Sequence, residues 1–204
     1  CRGLKEIIVG EDPFDVEKIW NKMYEFAYYH GRAAAVIHAM SGIDNAIWDI
    51  MGKAVGKPVH KLLGGAYQTR VPAYISILMP STPDEVKKLV DYHMKENYLG
   101  IKFGWGDLGK SFENDLKLVK AAREALGPDK YLMIDIAMAW TDYKVALKNC
   151  RAFEEYNVFW VEEPFRVERS KDFAKLRNAV NTNITAGEEL FHIDEFRKYI
   201  DDGC

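Results

Sequence analysis

Apolar positions fall into two textures along the chain. Over roughly the first 68 residues they recur every three or four positions, the spacing of amphipathic helices. Residues 15–29 place Val16, Ile19, Trp20, Met23 and Phe26 on one face. After Gly31 a second helical stretch runs to about Val55, with Ile43, Ala46, Ile47, Ile50 and Met51 on one side and Asp44 and Asp49 on others. Trp20 and Trp48 lie on these apolar faces and read as core. The segment GKPVHKLLGG then punctuates: Gly56 and Pro58 stop a helix, and Gly64 and Gly65 end a short one.

From Val71 short apolar runs alternate with longer amphipathic stretches. The runs are VPAYISI (71–77), LGIKFG (99–104), YLMIDI (131–136), VFWVEE (158–163) and NITAGEE (183–189). Residues 83–96, 113–127, 143–156, 171–180 and 194–202 read as the helices between and after them. Five βα units in succession predict an α/β fold with a parallel sheet buried on both faces. Their even period fits a (β/α) TIM-like barrel better than a doubly wound sheet. A full barrel has eight units and about 250 residues, so the expectation is a partial barrel.

In that frame Asp135, Glu162 and Glu188 are each expected to close a strand, 27 and 26 residues apart. C-terminal strand ends of a parallel barrel share one rim, where such folds build their sites. A single acid after a strand is ordinarily a helix cap or a solvated loop residue. Three at equivalent places converge, repel one another, and call for a cation. All-oxygen donors favour Mg²⁺, with Mn²⁺ also suitable, over zinc. Lys102 sits on the preceding strand and faces the same rim if it points inward. Trp105 follows on the rim side as a candidate wall for the substrate. Glu163 and Glu189, the second acid of each pair, read equally as salt-bridge or helix-start carboxylates or as substrate contacts; Glu163, one residue past the rim, keeps an ordinary loop reading.

Composition changes this picture little. The 204 residues are 48% hydrophobic and 29% charged, with net charge -3. The basic residues are dispersed among acids, so no nucleic acid and no anionic membrane is expected as partner. No apolar run is long enough to span a bilayer, and no signal peptide is evident. Cys1, Cys150 and Cys204 have neither disulfide-framework nor zinc spacing, which points to a reducing cytoplasm. The five histidines read as surface or satisfied groups. Both ends look cut. One competing motif stands out: residues 104–111, GWGDLGKS, fit the P-loop pattern G-x-x-x-x-G-K-S between a strand and a helix. An NTPase reading would leave Glu162, Glu188 and the even period unexplained.

The ordered set GIDNAIWDIMGKAVGKPVHKLLGG, GIKFGW, MID, VEEP and GEE resembles the enolase superfamily, in its mandelate racemase and muconate lactonizing branch. The likeness covers nearly the whole chain. It implies that residues 1–68 are the helical part of an α+β N-terminal capping domain and 69–204 the first part of the barrel, both truncated. It implies Asp135, Glu162 and Glu188 as magnesium ligands and Lys102 as the second lysine of a K-x-K pair. It implies a reaction that begins by removing a proton alpha to a carboxylate, through an enediolate. The expected activity is that of a lyase dehydrating a sugar acid, with racemase, epimerase or cycloisomerase as the alternative. The expected partners are a small carboxylate substrate and, in the intact protein, further copies in a homo-oligomer. Two departures stand out: the first lysine of the pair is Gly100 here, which bears on Lys102 as base, and Ala137 stands where the family often has Asn. The resemblance places a His–Asp pair on later strands than these five.

Overall fold

A computed structural model describes residues 2–31 and 33–204, apart from the side chain of Arg2. Cys1 lies outside the described residues. The chain divides into two compact units, residues 1–71 with 191–193, and residues 72–190 with 194–204.

The first unit is helical: α1 (Arg2–Ile8), α2 (Val16–Ala27), α3 (Ala35–Ala54) and the single turn α4 (Val59–Leu62). Ile19, Met23 and Ala27 repeat every fourth residue on α2, so they stack on one face and are buried with Leu4, Ile37, Met40, Ile47 and Met51. The buried stripe is narrower than the sequence pattern suggests. Phe26 and Ile50 are largely exposed, and Phe26 instead stacks on His30. Trp20 and Trp48 are only partly buried at the edge of this core. At the end of α3 the chain folds back on itself, with Lys57 N–H donating to Gly52 C=O at 2.9 Å. A Cβ at Gly52 would stand 2.7 Å from the Lys57 carbonyl oxygen, so only glycine admits this return.

The second unit carries the strands: β1 (Ile75–Leu78), β2 (Gly100–Gly104), β3 (Tyr131–Asp135), β4 (Val158–Glu162) and β5 (Asn183–Thr185). Helices α5 (Pro83–His93), α6 (Phe112–Leu126), α7 (Tyr143–Glu154), α8 (Ser170–Arg177) and α9 (Ile193–Asp202) follow them in turn. All pairings are parallel and the strand order is sequential, β1-β2-β3-β4-β5. A doubly wound sheet reverses its order at a switch point. This one does not, and it is five successive units of a (β/α) barrel.

Local chemistry starts the helices where the strands require it. Thr82 accepts the Glu85 N–H and donates to its carboxylate, a reciprocal cap with Pro83 at the first helical position. Ser111 caps α6 and Asp142 caps α7 in the same sense. Ile101, Phe103, Leu132, Ile134 and Val161 are fully buried, in one cluster with Val86, Leu118, Val119, Ala146 and Phe153 of the helices. Each of these side chains except that of Ala146 contributes about 1.5–3 kcal/mol by leaving water. Among the described residues no helix is long and apolar enough to cross a membrane.

Two strand expectations need correction. The first strand starts at Ile75, not Val71. Ile75 pairs with Ile101 and β2 begins one residue before that, so residues 71–73 have no strand alongside them. The fifth strand stops at Thr185, short of Glu188. Glu163 N–H donates to Thr185 C=O, and at Gly187 (φ +130°) the chain turns away.

Candidate metal centre

Parallel register decides which acids meet. Asp135 and Glu162 are the last residues of β3 and β4 and are direct register partners. Both sit on the face opposite the helix layer, because Ile134 and Val161 beside them are in the core. Glu188 does not end a strand. The register partner of Glu162 on β5 is Thr185, and Glu188 arrives from the loop three residues beyond it. One carboxylate oxygen from each of Asp135, Glu162 and Glu188 nevertheless lies within 4.8 Å of the others. Asp135 is buried, Glu162 half-buried and Glu188 exposed.

Two of these carboxylates have one oxygen held by an N–H of their own chain segment and the other turned toward the cluster and Lys102. Asp135 Oδ1 accepts the Ala137 N–H at 2.9 Å. Glu162 Oε2 accepts the Trp160 indole N–H at 3.1 Å. Their other oxygens face Lys102, whose Nζ is 2.6 Å from Glu162 Oε1 and 3.6 Å from Asp135 Oδ2. Lys102 points inward because its β2 neighbours Ile101 and Phe103 are claimed by the helix side. Space for Asp135 comes from its β2 register partner Gly104, where a Cβ would stand 2.8 Å from the Asp135 Cβ.

Burial pushes the Asp135 carboxyl above its ordinary value, and the nearby Glu162 charge adds to this against the Ala137 hydrogen bond and Lys102. Burial also raises Glu188, with repulsion from Asp135 and Glu162 next. Burial pulls the Lys102 ammonium down, but its hydrogen bond to Glu162 and the charges of Glu162 and Asp135 outweigh that and leave it raised. The directions have one cause: negative charge gathered at a partly dry rim with a single ammonium set against it. The donor set fits a hard divalent cation. All three candidate donors are carboxylate oxygens, which suit a hard divalent cation such as Mg²⁺.

Comparison with known proteins bears directly on this arrangement. Residues 84–204 match the family described as Enolase C-terminal domain-like. Residues 2–64 match the Mandelate racemase / muconate lactonizing enzyme, N-terminal domain. The chain belongs to the enolase superfamily. Within it, the chain is 35% identical over 196 residues to an arabinonate dehydratase of Saccharolobus solfataricus, covering 95% of this chain and 52% of that protein. It is 33% identical to an L-talarate/galactarate dehydratase of Salmonella typhimurium, covering 98% and 50%. Among solved structures it aligns with a mandelate racemase/muconate lactonizing protein from Paracoccus denitrificans complexed with magnesium, at TM-score 0.93 and 27% identity, covering 99% of this chain and 56% of that one. The chain thus spans about half the length of the curated relatives it matches.

Membership in the enolase superfamily leaves residues 104–111 to be explained, and the structure does so without phosphate. The Gly109 N–H donates to both oxygens of Asp115, each at 3.1 Å. Asp115, on the first turn of α6, is itself buried. A loop amide already bonded to the protein's own carboxylate is not offered to a phosphate. Lys110 is exposed and pairs with Asp107. Trp105 is half-exposed on this loop, in the left-handed region at φ +61°, and its N–H donates to the Asp135 C=O at 3.2 Å.

Sequence reasoning passed over one residue at this rim. Glu163, read as an ordinary loop acid, is 2% exposed. Its Oε1 accepts the Gly187 N–H at 2.5 Å and the Glu188 N–H at 3.1 Å. Burial raises its carboxyl despite those two donors. The available signal was an acid immediately after a strand, followed by a proline and by a Gly-Glu pair one unit on.

Proposed function

We propose that the full-length protein is a magnesium-dependent hydro-lyase acting on a sugar acid. The carrying observation is the convergence of Asp135, Glu162 and Glu188 oxygens within 4.8 Å at the C-terminal rim of the sheet. These three residues would hold the ion, and Mn²⁺ suits the same donors. When bound, the cation supplies positive charge that stabilises the anion formed as the proton alpha to the substrate carboxylate is removed. Ala137 and Trp160 keep one oxygen of Asp135 and of Glu162 occupied, so the other faces the site. Lys102 places an ammonium beside the substrate carboxylate and polarises it. Trp105, half-exposed on the loop after β2, would wall the substrate. Loss of the alpha proton and of the β-hydroxyl releases water and gives, after ketonisation, a 2-keto-3-deoxy acid.

Dehydration is favoured because the arabinonate and L-talarate/galactarate relatives carry that activity in their names. Racemisation, epimerisation or cycloisomerisation is the second reading, since each begins with the same proton removal and the matched N-terminal family is named for a racemase and a lactonizing enzyme. The test is a panel of sugar acids with the full-length protein and Mg²⁺. Formation of a 2-keto-3-deoxy acid supports dehydration. Exchange of the alpha proton for deuterium from solvent, with no loss of water, moves the assignment to the second reading. An unchanged thermal midpoint on adding Mg²⁺ removes the metal centre from both. The same reading makes the protein a cytoplasmic homo-oligomer, which cell fractionation and light scattering check.

A further inference from the structure

Glu163 is linked to the chain segments of all three acids at the rim, to two by hydrogen bonds and to Glu162 by the peptide bond. Its C=O accepts the Met138 N–H at 2.7 Å, from the turn just after Asp135. Its own N–H donates to Thr185 C=O at 3.0 Å, the last bond of the ladder to β5. Its Oε1 takes the Gly187 and Glu188 amides. It is covalently next to Glu162. No strand delivers Glu188 to the cluster, because β5 has already ended, so the loop must be held by something else.

The residue type at this position is informative. Glu163 has φ +41°, a region glycine occupies without strain and a non-glycine residue seldom adopts. Its carboxylate is buried, an expensive place for a charge. A residue chosen for backbone or packing alone would be neither ionisable nor β-substituted here. What Glu163 has and those residues lack is an acceptor oxygen reaching two consecutive amides across to the next loop.

Building on the metal-centre reading above, we infer that Glu163 is a positioning residue that fixes the Gly187–Glu188 backbone so that the Glu188 carboxylate reaches Asp135 and Glu162. It touches neither ion nor substrate. Partners that orient metal ligands are worth 10–100-fold in affinity in general. Glu163→Ala in the full-length protein should therefore weaken Mg²⁺ binding by about 10–100-fold by calorimetry. Glu163→Gln keeps the acceptor oxygen and should stay within about threefold of wild type, well short of that loss. Glu163→Asp keeps the charge but falls short of the two amides, and should resemble the alanine variant; it also serves if the alanine variant does not fold.

A second readout needs no metal. Amide hydrogen exchange at Gly187 and Glu188 in metal-free protein should be slow in wild type and in Glu163→Gln, and fast in Glu163→Ala and Glu163→Asp. Equal Mg²⁺ affinity in wild type and in folded Glu163→Ala and Glu163→Asp overturns this inference alone. Equal amide protection in those proteins overturns it too. Absence of Mg²⁺ binding by the wild type overturns the metal centre itself.

Discussion

On β2, Ile101 and Phe103 are fully buried against the helices, while Gly100, Lys102 and Gly104 alternate with them on the other side. β3 repeats the pattern: Leu132 and Ile134 join the helix-side core, and Met133 and Asp135 face inward. The helix side is selected for volume, and many apolar residues of similar size would serve. The inward side is selected for what it lacks as much as for what it carries. A Cβ at Gly100 would stand 2.1 Å from the Tyr131 carbonyl oxygen, and one at Gly104 would press on Asp135. The packed core and the acid cluster thus lie on opposite faces of the same strands, and single substitutions can separate them.

The largest effect is expected on the helix side. Phe103→Ala empties a fully buried ring site and should lower unfolding free energy by about 3–5 kcal/mol in denaturant titration, with Mg²⁺ affinity of the folded fraction unchanged. Loss of Mg²⁺ affinity along with stability would break the separation of the faces. Asp115 is a carboxylate on the apolar side, and burial pushes it up to about 6 against the Gly109 hydrogen bonds. The folded protein therefore keeps a proton that the unfolded chain gives up near 3.8. The stability this contributes is full below pH 3.8 and is lost as pH rises through about 6, a fall of at most about 3 kcal/mol. Asp115→Asn should flatten that part of the stability–pH profile.

Asp135→Asn tests the inward face. At a Mg²⁺ concentration about a hundred times Kd, wild type gains roughly 2.7 kcal/mol from binding, and the variant should gain none. Its metal-free stability should move by less than about 1 kcal/mol, because a repelling charge leaves with the ligand. A large metal-free loss would show that the inward face also carries the fold. The smallest effect is expected at Gly104→Ala. The added methyl displaces Asp135 and should weaken Mg²⁺ binding about tenfold, roughly 1.4 kcal/mol, measured by calorimetry.

Much of this architecture was legible from periodicity. Alternation of short apolar runs with amphipathic stretches marks a parallel sheet, and β2, β3 and β4 begin or end within a residue of the runs that predict them. Asp135 and Glu162 were readable because strand-end position in a parallel sheet is a matter of register, which the even spacing reports. Glu188 was readable as a member of the set but not as a loop residue, since nothing in NITAGEE marks where pairing with β4 stops. Glu163 was readable as an acid just past a strand end but not as a buried one. Its burial depends on a loop 24 residues later folding back over it, a contact with no local signature.

The sequence by itself determined the order of strands and helices, the side of each strand that seeks the core, and the shared rim of Asp135 and Glu162, because those follow from local periodicity and from parallel register. Only the tertiary structure decided which oxygen of Asp135 and of Glu162 faces Lys102, why the Gly109 amide serves Asp115 instead of a phosphate, and which side chain accepts the Gly187 and Glu188 amides. Those outcomes rest on hydrogen bonds and close approaches between distant segments, which exist only once the backbone has brought them together.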